Sequence, residues 1–145
     1  MISTIKVIFL DIDDVLNTRP ARERGELFAA LNVNSLNEVL DRTSAMIVVT
    51  STWRYCTSSA EWEEILQSAG IRAAGRVLGV TPWIDGISRG VEIAYWLENA
   101  LTEVIEYAIL DDRDDMEPCK EHLLRTKPEQ GLTQVLANLA ISKLH

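Results

Sequence analysis

An apolar run that stops on paired carboxylates limits the folds open to this chain. Ile5-Lys6-Val7-Ile8-Phe9-Leu10 leads directly into Asp11-Ile12-Asp13-Asp14-Val15-Leu16-Asn17. Ile, Val and Phe in such a run suit a strand buried on both faces, the setting of a central strand in a parallel sheet. Ligands of such sheets bind beyond the carboxyl ends of the strands. If Asp11 and Asp13 lie just past the strand end, the two-residue period sends both side chains to one side of the chain. Two like charges so close call for a cation or a shared proton. Mg²⁺ suits best, because it takes oxygen ligands and is held by one or two carboxylates together with substrate phosphate. Taken alone, an Asp-x-Asp pair is more often two solvated acids opening a loop.

Two further runs change that balance. Ala45-Met46-Ile47-Val48-Val49 stops at Thr50-Ser51-Thr52-Trp53-Arg54, and Tyr107-Ala108-Ile109-Leu110 stops at Asp111-Asp112-Arg113-Asp114-Asp115. Hydroxyls and a cation suit a phosphate. Three buried strands that end in acids, hydroxyls with a cation, and acids again carry polar groups of complementary type, a pattern hard to attribute to chance. Alternation of these strands with helical patterns gives an α/β fold, a doubly wound, Rossmann-like parallel sheet.

These residues resemble the haloacid dehalogenase-like (HAD) phosphohydrolase superfamily. Its first motif is matched by Asp11-Ile12-Asp13-Asp14-Val15-Leu16, its second by Thr50, its third by Arg89 in Ile87-Ser88-Arg89-Gly90-Val91-Glu92-Ile93, and its fourth by Asp111-Asp112. The motifs follow the superfamily's order across residues 5 to 115. With Trp96-Leu97 and Gly131-Leu132-Thr133 added, the chain resembles the small HAD domains of RNA-repair proteins. The Asp85 to Arg89 spacing and Asp111-Asp112-Arg113 also resemble the phosphatase domain of polynucleotide kinase-phosphatase. Where the superfamily often has Gly after its second Asp, this chain has Asp14, a residue type that tolerates a left-handed turn better than most.

The resemblance implies a phosphomonoester hydrolase in which Asp11 attacks phosphorus and Asp13 serves as general acid and base. It implies that Thr50 and Arg89 hold the phosphoryl oxygens. Mg²⁺ would bind Asp11, the backbone carbonyl of Asp13, and Asp111 or Asp112, with Asp115 as an alternative ligand. Ser51 and Arg54 are the candidate substrate-binding residues, although an exposed Arg after a strand also reads as an ordinary ion pair. Asp85 would orient Arg89 if both share a helical face. The gaps between motifs leave little room for a large cap domain. An uncapped site points to the phosphorylated end of a larger molecule, such as a nucleic-acid 3′ end, as substrate. The alternative is a catalytically inert HAD-like domain that binds phosphate or regulates.

A chain of 145 residues with 47% hydrophobic content is expected to form one domain over residues 1–145. Its net charge of −8 argues against nonspecific nucleic-acid binding through a broad basic face, although Arg19, Arg22 and Arg24 form a candidate local basic patch. Cys56 and Cys119 lack metal or disulfide spacing and read as packed thiols in a reducing compartment. No signal-peptide pattern and no apolar run near 18 residues is apparent, so a cytoplasmic protein without membrane association is expected. Trp62 and Trp96 fall in helical patterns as core residues. Trp53 and Trp83 are candidates for stacking on a base.

Periodicity and caps predict strands at about 5–10, 45–50, 76–80, 107–110 and 123–124. Helices are predicted near 34–42, 60–69 and 88–101 and after Thr133, with a loop over 11–31.

Overall fold

The computed structural model describes residues 3–50 and 58–145. Its strands are β1 (Thr4–Leu10), β2 (Met46–Val49), β3 (Val77–Val80), β4 (Glu103–Asp111) and β5 (Leu123–Arg125). All neighbours pair in parallel, in the order β3-β2-β1-β4-β5. The run that ends on Asp11 is therefore the central strand, as its both-faced hydrophobicity requires. Helices α1 (Arg19–Glu23), α2 (Ala30–Arg42), α3 (Ser59–Ser68), α4 (Arg89–Glu98) and α5 (Gln134–Leu144) complete a doubly wound α/β unit, with no cap domain among the described residues.

Alternation along β1 builds two cores. Ile8 and Leu10 join Ile47, Val49, Ala108 and Leu110 in a cluster with residues of α2, α3 and α5. Val7 and Phe9 face the other way, with Val48 and Ile109, against Ile93 of α4 and Met116. Trp62 is fully buried in the first core, and Trp96 packs edge-on to Phe9 at 5.6 Å between ring centroids in the second. Cys119 is buried and donates its thiol to the Gly90 carbonyl at 3.6 Å.

Helix α3 begins on a capping box between Ser58 and Glu61 and stops at Gly70, whose φ is +91°. Other boundaries differ from the sequence reading. Helix α2 starts at Ala30 rather than near residue 34, and its polar residues serve tertiary partners. Asn32 donates to the carbonyls of Gln130 and Leu132 at 2.9 and 3.0 Å. Asn37 donates to the Gly70 carbonyl and accepts from the Arg72 N–H. Such contacts outweigh the capping preference of Asn. The expected 11–31 loop contains α1, started by a Thr18 cap and Pro20. Strand β4 begins at Glu103 rather than Tyr107, its first half pairing with the start of β1.

Gly90 has no room for a side chain. A Cβ there would sit 2.2 Å from the Met116 carbonyl carbon and 2.6 Å from the Glu117 carbonyl oxygen. The start of α4 is thereby seated on the segment after β4, which places Arg89 beside Asp111.

Candidate active site

The carboxyl edge of the sheet is organised by one repeated hydrogen bond. The Asp11 N–H donates to the Leu110 carbonyl at 3.0 Å, Thr50 to Leu10 at 2.9 Å, Thr81 to Val49 at 3.0 Å, and Thr126 to Asp111 at 2.9 Å. Asp11, Thr50 and Thr81 each lie one residue past their strand, and Thr126 does so after β5. Four strand ends thus finish level with one another. The residue chosen at each end becomes a neighbour of the others, which is why separate apolar runs converge on one site.

Arg89 enters that edge from the first turn of α4. Its Nη1 donates to Asp111 Oδ2 at 2.8 Å and lies 3.4 Å from Asp11 Oδ1. Arg89 is 2% exposed, Asp11 5% and Asp111 0%, so the charges meet largely out of solvent. The other Asp111 oxygen accepts the Arg113 N–H at 3.0 Å. Carboxylate oxygens of Asp11, Asp111 and Asp112 all fall within 4.8 Å of one another. Thr50 is fully buried at the same edge. Asp13 is half-buried and its carboxylate lies outside this trio. Ser51 and Arg54, together with Trp53 and Cys56, lie outside the described residues.

The turn after the first motif has the backbone that its sequence suggested. Asp14 has φ +66°, and it is the one non-glycine residue with positive φ among the described residues. Its N–H donates to the Asn17 carbonyl at 2.8 Å, its carbonyl accepts from Thr126 Oγ1 at 2.7 Å, and its carboxylate pairs with Arg22 at 2.8 Å. These contacts hold a conformation that disfavours a side chain.

Several polar residues near the site have structural partners. Asp115 Oδ2 accepts the Arg89 N–H at 3.1 Å, and its carboxylate is paired with Arg113. Burial opposes ionisation of Asp115, but the Arg113 pair and the Arg89 N–H outweigh it and hold the carboxyl below its ordinary range. Asp115 thus anchors the start of α4 and is not part of the trio. Asp85 does not share a helical face with Arg89, since α4 begins only at Arg89; instead Asp85 accepts from Trp83 Nε1 at 2.8 Å. Asp111 takes the orienting role expected of Asp85. The expected basic patch is internally compensated: Arg19 pairs with Glu129, Arg22 with Asp14, and Arg24 with Glu26.

The acids impose an electrostatic load that one arginine only partly offsets. Burial, then the Asp111 charge, pushes the Asp11 carboxyl well above its ordinary value, with Arg89 opposing. Asp112 is pushed up to about 6 by burial, then by Asp111 and Asp14. A carboxyl raised in the fold binds its proton more tightly there than in the unfolded chain. Without a cation, stability therefore falls as pH climbs from the unfolded value near 4 through the folded one. Glu26, Asp41, Glu106 and Asp115 lie below their ordinary values, so their contribution is nearly complete above about pH 5 and does not offset that fall.

We expect the thermal midpoint of metal-free protein to drop by about 2–4 °C from about pH 5 to about pH 7.5. That corresponds to roughly 1 kcal/mol after discounting half-exposed Asp112 for solvent screening. Mg²⁺ added at the higher pH should restore it, and Asp112→Asn should flatten the profile. A midpoint that climbs over this interval, or that ignores Mg²⁺, contradicts the reading.

The donors fit a small hard cation. Three carboxylates supply oxygen ligands only, they are close enough for one ion, and two of them, Asp11 and Asp111, are buried. Acids meet at the carboxyl edge of a doubly wound sheet, with a buried arginine between the two strand ends that carry them, and they form the candidate site of a HAD-like domain. Residues 7–137 match the family described as the HAD domain in Swiss Army Knife RNA repair proteins, and the chain belongs to that family. No curated protein and no solved structure matches it. Among the described residues, no helix is long and apolar enough to cross a membrane.

Proposed function

We propose that the domain is a Mg²⁺-dependent phosphomonoester hydrolase that works through an aspartyl-phosphate on Asp11 and acts on phosphorylated 3′ ends of nucleic acid. The observation that carries this reading is the meeting of Asp11, Asp111, Asp112 and Arg89 at one sheet edge, a mostly buried group with more negative than positive charge. A purely structural cluster gains nothing from three acids so close together. A site that binds a cation and a phosphoryl group does.

In the proposed reaction a carboxylate oxygen of Asp11 forms a bond to phosphorus as the bond to the leaving oxygen breaks. Asp13, two residues along the same chain direction, gives its proton to that oxygen. A water then attacks phosphorus and yields its proton to Asp13, and the bond from Asp11 to phosphorus breaks to free inorganic phosphate. Division into two steps replaces one hard displacement with two easier ones. Arg89 and Thr50 would hold the phosphoryl oxygens where charge develops.

Both Asp111 oxygens already accept hydrogen bonds, from Arg89 and from the Arg113 N–H. We therefore assign the direct metal contacts to Asp11, Asp112 and the Asp13 carbonyl, and to Asp111 the task of fixing Arg89. Bound there, Mg²⁺ would neutralise the acids and the phosphoryl charge together. The absence of a cap and the membership in a family of RNA-repair domains favour a polymer end over a small metabolite.

The test is phosphate release from a 3′-phosphorylated oligonucleotide and from a generic aryl phosphate, with Mg²⁺ and with chelator. Release that needs Mg²⁺ and favours the oligonucleotide is expected. Release untouched by chelator, or none from either substrate, counts against the proposal and favours a domain that binds phosphate without turnover.

A further inference from the structure

Beside the acids, on the β5 side, lies an open cavity of about 370 Å³ walled by Asp112, Arg125, Thr126, Lys127 and Pro128. Asp112 belongs to both, so the cavity adjoins the proposed metal site. Its remaining charged groups are cationic, an unusual neighbourhood in a chain of net charge −8.

These cations differ from the other arginines near the site. Arg22, Arg89 and Arg113 each have an acid within about hydrogen-bonding distance, as do Arg19 and Arg24. Lys127 has no acidic partner among the described residues. Arg125 is held by a bond from Nε to the Asp112 carbonyl at 2.9 Å, and its Nη1 comes only to 3.8 Å of the exposed Asp114. Both cations therefore retain donors for a ligand.

Their backbone is fixed. Thr126 is tied through its N–H to Asp111 and through Oγ1 to Asp14. The Lys127 carbonyl accepts from Gln130 and Gly131 at 3.0 and 2.8 Å, and the Pro128 carbonyl accepts from Arg19 at 2.8 Å. The same contacts that lock the turn after Asp11 thus present Arg125 and Lys127 at a set position relative to the acids. A fixed pair of incompletely neutralised cations adjoining a phosphate site suits a second phosphate on the same ligand.

We propose that this cavity binds the phosphodiester next to the phosphate that is removed, making Lys127 and Arg125 the residues that select a polynucleotide end over a simple phosphomonoester. The assignment rests on the phosphatase reading above for its place in the substrate. Binding at the cavity can be measured without turnover.

The experiment uses the full chain carrying Asp11→Asn and a fluorescent single-stranded RNA with a 3′-phosphate, titrated by anisotropy across a salt series. Adding Lys127→Ala should weaken binding about threefold to tenfold and reduce the slope of log affinity against log salt by about 0.7, one phosphate contact on a single strand. Lys127→Arg should restore both. In the protein with Asp11 intact, Lys127→Ala should raise KM for the oligonucleotide by the same factor, with kcat for it and all constants for an aryl phosphate unchanged. Unaltered RNA affinity and salt slope, or a loss shared equally by the aryl phosphate, overturns the assignment. If unsubstituted protein hydrolyses neither substrate, the phosphatase reading fails, and the anisotropy comparison alone decides whether the cavity takes a phosphodiester.

Discussion

Asp11→Asn is expected to lower turnover by at least about 10⁴-fold, the scale on which loss of a covalent nucleophile acts. The protein should remain folded. Asparagine keeps the shape of the side chain and one oxygen for Arg89, whose Nη1 lies 3.4 Å from Asp11 Oδ1. It removes a buried negative charge that Asp111 opposes. The urea midpoint of the metal-free variant should therefore equal or exceed that of the unsubstituted protein, while stabilisation by Mg²⁺ shrinks. A structural residue would behave in the opposite way, with loss of stability and partial retention of activity. Phosphate release and equilibrium unfolding on the same preparations distinguish the two.

Arg89→Met is expected to cost about 3–5 kcal/mol, because breaking a buried ion pair strands the remaining charges. Here two carboxylates are stranded at once: Asp111 loses a 2.8 Å hydrogen bond and both lose their shared cation. Methionine fills much of the volume, so the loss is electrostatic rather than a cavity. Mg²⁺ should recover part of the stability by replacing the missing positive charge, but not the activity, since the phosphoryl oxygens also lose a donor. Arg89→Lys should recover more stability than activity. Lysine keeps the charge and can set its one nitrogen between Asp111 and Asp11, as Nη1 is set, but it lacks the further guanidinium donors that the phosphoryl oxygens would use. Urea denaturation with and without Mg²⁺ reads the first effect. An Arg89→Met variant as stable as the original would show that the pair contributes little in the folded protein.

The central elements of the site were legible because strand ends have simple rules. A two-faced apolar run followed by polar residues marks both a central strand and the point where it stops, and this marked Asp11, Thr50, Asp111 and Asp112 as candidates that the structure brings to one sheet edge. Arg89 was legible through its match to the third superfamily motif, but its partner was not. Asp85, four residues away, looked well spaced on a helix that in fact begins at Arg89. The true partner, Asp111, is distant in sequence and is reached because Gly90 lets α4 sit against Met116.

Asp115 was ambiguous for a related reason. A run of four aspartates and one arginine does not reveal which carboxylate bonds a helix N-terminus, and the assignment depends on the Arg89 N–H lying 3.1 Å away. The start of α2 was missed because Asn32 and Asn37 make long-range hydrogen bonds that no local propensity encodes. The cavity around Lys127 had no sequence signature at all: it exists because the segment after β5 is bonded to the turn at Asp14.

The most direct measurement is transfer of labelled phosphate from substrate to protein, trapped by rapid acid quench and mapped to a peptide. With Mg²⁺ and an Asp13→Asn background that slows release, label should accumulate on the peptide containing Asp11 and be absent when Asp11 is also replaced by asparagine. Release of inorganic phosphate with no labelled protein, at a rate that survives Asp11→Asn, would contradict the account.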